Sequence, residues 1–448
     1  MSHATDHDVL RDLDDGLLLR HGRVSDATAL AAFNAEIHRN PGSPEPDIAA
    51  GVWTRDLLTR PHPTLRPDDF TLVEDRRSGT IVSSLNLIPQ TWTYGGIPFG
   101  VGRVELVGTL PEYRRRGLVR RQMEVVHAWS AARGHLAQAI TGIPFYYRQF
   151  GYDMALGLGG GRAGYVSHLP RLRDGEAEAY RVRPATADDL PFIHDLYAAS
   201  QRRYLVSCPR DSDTWRYELL GKSEQSGGRL DVCAIEAPDG QPVGFVGHAP
   251  QLWGDMFAAQ LYEVKPGVSW LAVTPSVIRY LWAAGEALAA RRPGPPMQSF
   301  GFWLGSDHPV YTVLGNRLPR VSAPYAYYMR VPDVAAFLLH IRPVLEGRLA
   351  ASVAAGHSGD LRISFYRGGV CLTFEHGRLT HVEAWQPSRD EGGDVRFPHL
   401  TFLQVLFGYR ALDEVEAAYA DCYPENQTAR VLTDVLFPKA LSDVWCLS

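Results

Sequence analysis

Residues 104–121 read VELVGTLPEYRRRGLVRR, and the order of the parts in this stretch decides the fold. An apolar strand pattern runs into Pro111. A basic turn follows, Arg114-Arg115-Arg116-Gly117, and an amphipathic helical pattern starts at Leu118. That order builds an anion site, because the N–H groups at a helix start and the positive end of its dipole point at a phosphate group. Gly117, with no side chain, lets the backbone come close to such a ligand. Arg114, Arg115, Arg116 and Arg120 add positive charge. Without its flanks the same turn reads as a solvated basic loop. The strand and proline before it and the helix after it favour the ligand site.

The turn resembles the acetyl-CoA signature of the GNAT acetyltransferases, Arg/Gln-x-x-Gly-x-Gly/Ala. Here Arg114-Arg115-Arg116-Gly117-Leu118-Val119 fill those places, with Val119 where the family carries Gly or Ala. The resemblance implies that acetyl-CoA is the co-substrate. It implies that the backbone from Arg114 to Arg120 holds the pyrophosphate, and that Val107, Gly108 and Thr109 pair with the pantetheine arm as an added strand would. Gly142, past the next strand, is counted with these contacts.

The chain has 448 residues, too many for one core, so two or three domains are expected. Hydrophobic content of 45% and charged content of 21% are ordinary for a globular protein. A net charge of −5 argues against nonspecific nucleic-acid binding, where a basic domain is expected. No apolar run approaches the ~20 residues that span a bilayer, and the acidic N-terminus has no signal-peptide core. Residues 1–16 read as a disordered tail. The five cysteines, Cys208, Cys233, Cys371, Cys422 and Cys446, are widely spaced and form no Cys-x-x-Cys. A reducing cytoplasm is the expected setting. His3 and His7, and His376 and His381, lack helical ligand spacing, so no metal is expected.

Outward from the opening stretch, a first unit covers residues 17–165. It begins with a helix near Ser25 and Asp26 and continues through strands at 70–74, 81–87, 92–94 and 100–109. A helix from 118 to about 133 and a strand at 136–141 complete it. Residues 166–335 repeat the opening pattern at 180–190. Residues 268–275, VSWLAVTP, echo the strand and proline before Pro111, but no Arg-x-x-Gly turn follows and Ile278, Tyr280 and Leu281 are bulky. A degenerate copy that packs without binding the cofactor is expected. Residues 336–448 change character: alternation at 361–366, 370–374 and 379–385 around glycine turns gives a β-meander, and helices follow from about 400 and 412.

That last region resembles the sterol carrier protein-like domain of the enhanced intracellular survival (Eis) group of GNAT enzymes. The layout as a whole is similar to that group: an α/β (α+β) chain of tandem GNAT-like domains, then a sterol carrier-like α+β domain. The group's hexameric assembly makes a homo-oligomer the expectation here. Sterol binding does not follow, because sequence cannot separate a cavity from a filled core.

Acetyl transfer needs a neutral amine to attack the thioester and an acid to protonate the departing thiolate. The Eis-like Tyr-x-x-Phe-Gly-Tyr element appears as Tyr147-Arg148-Gln149-Phe150-Gly151-Tyr152, which makes Tyr147 the expected acid. Its phenol stays protonated near neutrality. Tyr152 and Tyr146 read as packing residues. The base is open between two carboxylates. In the group the terminal carboxylate reaches the site, which points to Ser448 and a tail that docks on the first domain. Trp445 takes the place of the aromatic that ends such chains, with three residues beyond it. Glu105 shares a strand face with Val107 and Thr109 and is the other candidate, its alternative role being a structural pair with Arg103. The resemblance implies an N-acetyltransferase for a primary amine: aminoglycoside-like, polyamine-like or lysine. Acceptor contacts are expected around Trp53, residues 61–66 and Trp92. A non-catalytic acyl-CoA or lipid-binding protein is the competing expectation, with no nucleic-acid or membrane partner in either case.

Overall fold

The computed structural model describes residues 9–291, 296–388 and 391–448. The chain starts with β1 (Val9–Asp12), β2 (Leu17–His21), α1 (Ala27–Ile37), α2 (Ile48–Thr59), β3 (Phe70–Asp75), β4 (Thr80–Tyr94) and β5 (Ile97–Thr109). Then come α3 (Leu118–Ala132), β6 (Ala137–Ile140) and β7 (Asp153–Leu158). β1 to β5 pair antiparallel in chain order, and β6 pairs parallel with β5. Helices α1 and α2 cover one face, where Leu30, Leu57, Leu72, Ile88 and Leu106 form a core. Helix α3 covers the other, over Leu85, Leu87, Val104, Met123 and Val126.

Two expectations for the start of the chain change. Residues 9–16 are not a disordered tail: β1 pairs with β2, and Leu10 and Leu13 pack against a cluster that includes Leu17, Leu19 and Leu118. The acidic character that suggested fraying is neutralised locally, with Asp12 paired to Arg76 and Asp15 to Arg116. Residues 1–8, with His3 and His7, lie outside the described residues.

After β7 the chain changes sheets at Gly159 and Gly160, both at positive φ, where a Cβ on Gly160 would strike the Pro324 backbone at 2.6 Å. β8 (Gly161–Tyr165) belongs to the second sheet. There follow β9 (Arg181–Pro184), α4 (Leu190–Ser200), β10 (Val206–Ser207), α5 (Ser212–Arg216), β11 (Asp231–Glu236), β12 (Pro242–His248) and β13 (Met256–Val264). Next are α6 (Trp270–Ala289), β14 (Ser299–Phe302), α7 (Pro309–Leu314), β15 (Arg320–Ser322) and β16 (Tyr325–Arg330). The second sheet has the order β15-β8-β14-β13-β12-β11-β9. β16 returns to the first sheet and lies between β6 and β7. The sheets therefore cut across the boundaries expected at 165 and 335: each unit lends the other a strand. Burial of Tyr327, Tyr328 and Met329 in the first unit's cores holds the exchange in place.

Residues 270–289 are a helix, so the echo read at 268–275 is misplaced. Val273, Val277, Ile278 and Leu281 are buried at helical spacing, and Pro275 sits inside α6, where it costs one backbone hydrogen bond. The strand that matches β5 is β13, and its proline is Pro266. Ile278 and Leu281 fill the second core rather than a phosphate site.

The third part opens with α8 (Val334–His340) and α9 (Arg342–Ala350). The meander is β17 (Gly359–Ser364), β18 (Gly369–Glu375) and β19 (Arg378–Trp385), followed by the short β20 (Val395–Arg396). Then α10 (Phe402–Leu406), α11 (Leu412–Ala418), β21 (Tyr423–Pro424) and α12 (Gln427–Leu436) close the unit. Its core is continuous with Trp92, Tyr94, Phe99 and Val101 of the first sheet. The last residues leave α12 and run beside β10, with Leu205 N–H bonded to Leu441 O at 2.7 Å and Asp443 N–H to Val206 O at 3.0 Å.

Candidate active site

β5 and β6 pair only from Val101↔Ala137 to Arg103↔Ala139 and then part. Past that point β5 carries a bulge. Glu105 faces Asn86 and Gly108 faces Ser84, so one extra residue is inserted, and Leu106 takes φ 53°. The parted strands open onto a cavity of about 870 Å³. One wall is Glu105, Val107, Gly108 and Thr109 of β5. The second is the turn and helix start, Arg114, Arg115, Gly117, Leu118, Val119 and Arg120. The third is the segment after β6, with Gly142, Tyr146 and Tyr147.

The turn works through backbone conformation. Gly117 caps α3 at φ 75°, a region costly for other residues, and a Cβ there would meet no protein atom within 4 Å. That side of the turn is open to a ligand. Gly108 is required for another reason, since a Cβ would lie 2.7 Å from Ile37 Cγ2 where α1 crosses β5. Of the four arginines, Arg114 donates to Thr109 O at 3.3 Å, and Arg120 donates to Gln149 at 2.8 Å while lying over Phe150. Arg116 does not line the cavity: it pairs with Asp15 at 2.8 Å and lies over Tyr113.

Tyr147 is 3% exposed and packs edge-on against Tyr146 and Tyr328. Burial first, then the charge of Glu105, pushes its phenol well above the ordinary value, so it stays protonated. Tyr152 is fully buried and hydrogen-bonds His127 Nε2 at 2.8 Å, away from the cavity lining. Sequence reasoning missed the residues that hold this wall. Tyr325 donates to Gly142 O at 3.1 Å and Tyr328 to Ile143 O at 3.2 Å, both from the exchanged strand β16. The three tyrosines within residues 325–328 were the available signal.

Glu105 lines the cavity and also pairs with Arg103, so both roles weighed for it coexist. Arg103 in turn donates to Leu447 O at 3.1 Å, beside Gln90 Nε2 at 2.7 Å. Arg210, buried and stacked on Trp445, donates to Trp445 O at 2.6 Å and Cys446 O at 3.1 Å. Ser448 itself is not among the cavity-lining residues. Its Oγ accepts from Lys222 at 3.2 Å and its carboxylate oxygen from Tyr217 at 3.3 Å. Trp53 Nε1 is beside Ser448, at the Gly228 backbone. Trp92 is not an acceptor contact: it is 0% exposed, with its indole N–H on Gln90 at 2.9 Å. In the segment 61–66, the His62 ring is packed on Tyr217. Among the described residues, no group of three or more His, Cys, Asp or Glu is placed to hold a metal ion.

The model of the acetyltransferase (GNAT) domain family matches residues 43–155, which run from α2 into β7 and include the three walls described above, though not Ile37 and His38 at the end of α1. The chain carries a GNAT acetyltransferase domain. It is therefore an acyltransferase, and acyl-CoA is the co-substrate class of that family. No curated protein matches the sequence. Solved structures match nearly the whole chain. A probable N-acyltransferase from Enterococcus faecalis V583 is 13% identical with a TM-score of 0.62, over 95% of this chain and 97% of that one. A GCN5-related N-acetyltransferase from Kribbella flavida is 16% identical with a TM-score of 0.62, over 96% and 98%. Eis1 from Mycobacterium abscessus is 15% identical with a TM-score of 0.59, over 95% and 99%. The three-sheet GNAT layout thus extends beyond the matched domain.

Proposed function

We propose that the cavity between β5 and β6 binds acetyl-CoA and that the protein transfers its acetyl group to a primary amine. The observation that carries this reading is the cavity itself, which has the left-handed Gly117 turn on one wall and the protonated Tyr147 on another. The pyrophosphate meets the amides at the start of α3, with Arg114, Arg115 and Arg120 around it. The pantetheine arm pairs with the β5 edge past Arg103, which no longer faces β6. The amine nitrogen attacks the thioester carbon, and Tyr147 gives its proton to the departing thiolate. Of the two carboxylates considered for the base side, Glu105 lines the cavity and Ser448 does not, so Glu105 is the carboxylate beside the reacting groups, and the tail holds it in place through Arg103.

In this reading the unit at 17–165 is catalytic, 166–335 is a degenerate GNAT-like unit, and 336–448 is a sterol carrier-like unit. The first two exchange strands β8 and β16. Aminoglycoside-like and polyamine-like amines are the first acceptors to assay. Thermal unfolding with and without acetyl-CoA tests the site, since a ligand at a hundredfold excess over Kd adds about 2.7 kcal/mol to the folded state. A rise in Tm that is smaller in the Arg115→Ala variant at the same acetyl-CoA concentration supports the assignment. No rise at saturating acetyl-CoA sinks it and turns attention to apolar ligands of the third unit.

A further inference from the structure

The end of α1 brings a residue to the cavity that has no assigned role. Asn34 O accepts the His38 N–H at 3.0 Å, which closes the helix, and Ile37 sits on Gly108 of the bulged strand. His38 is thereby set into the cavity lining beside Glu105 and Leu106. Its Nε2 is buried and has no hydrogen-bond partner. A buried polar atom without a partner costs roughly 1–3 kcal/mol, so such groups normally have one. The ring that carries this atom lines the cavity beside the β5 wall.

We propose that the His38 imidazole takes the proton from the acceptor's ammonium group, with Glu105 steadying the charged ring. The proposal rests on the acetyl-CoA reading of the same cavity. Glu105 is already paired with Arg103, whereas His38 Nε2 is free to accept. Burial holds the imidazole below its ordinary value of 6.5, against the opposing charges of Glu105 on β5 and Asp47 at the start of α2. It is therefore neutral, and able to accept a proton, across the physiological range. The negative end of the α1 dipole and those two carboxylates then favour the imidazolium once it forms.

The protons balance. The first passes from the ammonium nitrogen to His38 Nε2, and from there to water when products leave. The freed amine attacks the thioester carbon, and the C–S bond breaks as Tyr147 protonates the sulfur. The second nitrogen proton returns to the Tyr147 phenolate. The products are an amide, the free thiol of coenzyme A and one proton released to solvent.

The test uses the full chain and an amine that the wild-type protein acetylates. His38→Gln should lower kcat by about a hundredfold or more, the range of general-base effects. Its acetyl-CoA-induced Tm shift should stay intact, which also shows that the variant folds. Wild-type kcat should fall below an apparent pKa under 6.5, and His38→Gln should lose that limb. Added imidazole should restore part of the rate to His38→Ala, an effect that a purely structural histidine does not produce. A His38→Gln protein that keeps both the wild-type kcat and the acid limb overturns the proposal. Absence of any acetyl-CoA shift in the wild type instead removes the reading of the whole cavity, so the two failures are distinct.

Discussion

The molecule contains the same device twice, and in only one copy does the cavity run along the parted strand. In the first sheet β5 and β6 run parallel over three residue pairs and then part around the 870 Å³ cavity. In the second sheet β13 and β14 run parallel from Met256↔Ser299 to Ala259↔Phe302 and then part as well. There a pocket of about 520 Å³, lined by Trp270, His308 and Pro309, stops short of β13, and the space at the strand itself closes to about 10 Å³. Tyr262 occupies it, with its hydroxyl on Thr274 at 3.0 Å and Trp270 edge-on at 4.9 Å. Glu263 pairs with Arg203, and Asp443 of the tail closes the same pocket. The connections differ too. Eight residues, 110–117, join β5 to α3 and include three arginines and a left-handed glycine cap, whereas five, 265–269, join β13 to α6. The splayed strands are common to both units, so function depends on what fills the gap and how the helix after it begins.

The comparison breaks most sharply at Tyr147. Tyr147→Phe keeps the ring packing and removes the proton. The acetyl-transfer rate should fall about a thousandfold, ~4 kcal/mol in barrier, while acetyl-CoA still raises the Tm. A rate within twofold of wild type would leave the open unit a binding site without the proposed acid. The second unit gives the converse experiment. Tyr262→Ala empties the closed gap and should cost roughly 3–5 kcal/mol of stability, read as a lower denaturant midpoint. It should not create acetyl-CoA binding, because the turn before α6 still lacks the glycine cap. If this variant bound acetyl-CoA when the open site was blocked, filling alone would explain the difference between the units.

Gly117→Ala isolates the turn. The new Cβ meets no protein atom, so the penalty is the positive φ, about 1–2 kcal/mol. That strain appears as lost stability. If instead the turn relaxes, it appears as roughly tenfold weaker acetyl-CoA binding by calorimetry. No change in either would mean that the left-handed cap is dispensable.

Sequence reached the open unit because its signals are local. Strand, proline, basic turn and helix follow one another within residues 104–121, and Tyr147 stands in a short element of its own. The closed unit was misread by about ten residues because Pro275 looked like a strand end, whereas it is carried inside α6 by the buried faces around it. The exchange of β8 and β16 could not be read, since pairing between strands far apart in the chain is fixed by tertiary burial rather than by local pattern. His38 gave no signal as a lone histidine past a helix. Only the crossing of α1 over Gly108 sets it beside Glu105. The tail's docking was legible from its apolar residues, but not its clamp by Arg103 and Arg210, which come from two different units.

The smallest effect separates two adjacent arginines. In sequence Arg115 and Arg116 are equivalent parts of one basic turn. In the fold Arg115 lines the cavity at φ 63°, and Arg116 turns outward to Asp15. Arg115→Ala should weaken acetyl-CoA binding several-fold, more at low salt than at high, since a partly exposed cation acts through a screened field. Arg116→Ala should change affinity less than twofold and stability by under about 1 kcal/mol, as loss of a surface ion pair does. Equal losses of affinity in the two variants would mean that the basic turn acts as a diffuse charge. Its folded direction would then not matter, and the open unit would differ from the closed one by charge count alone.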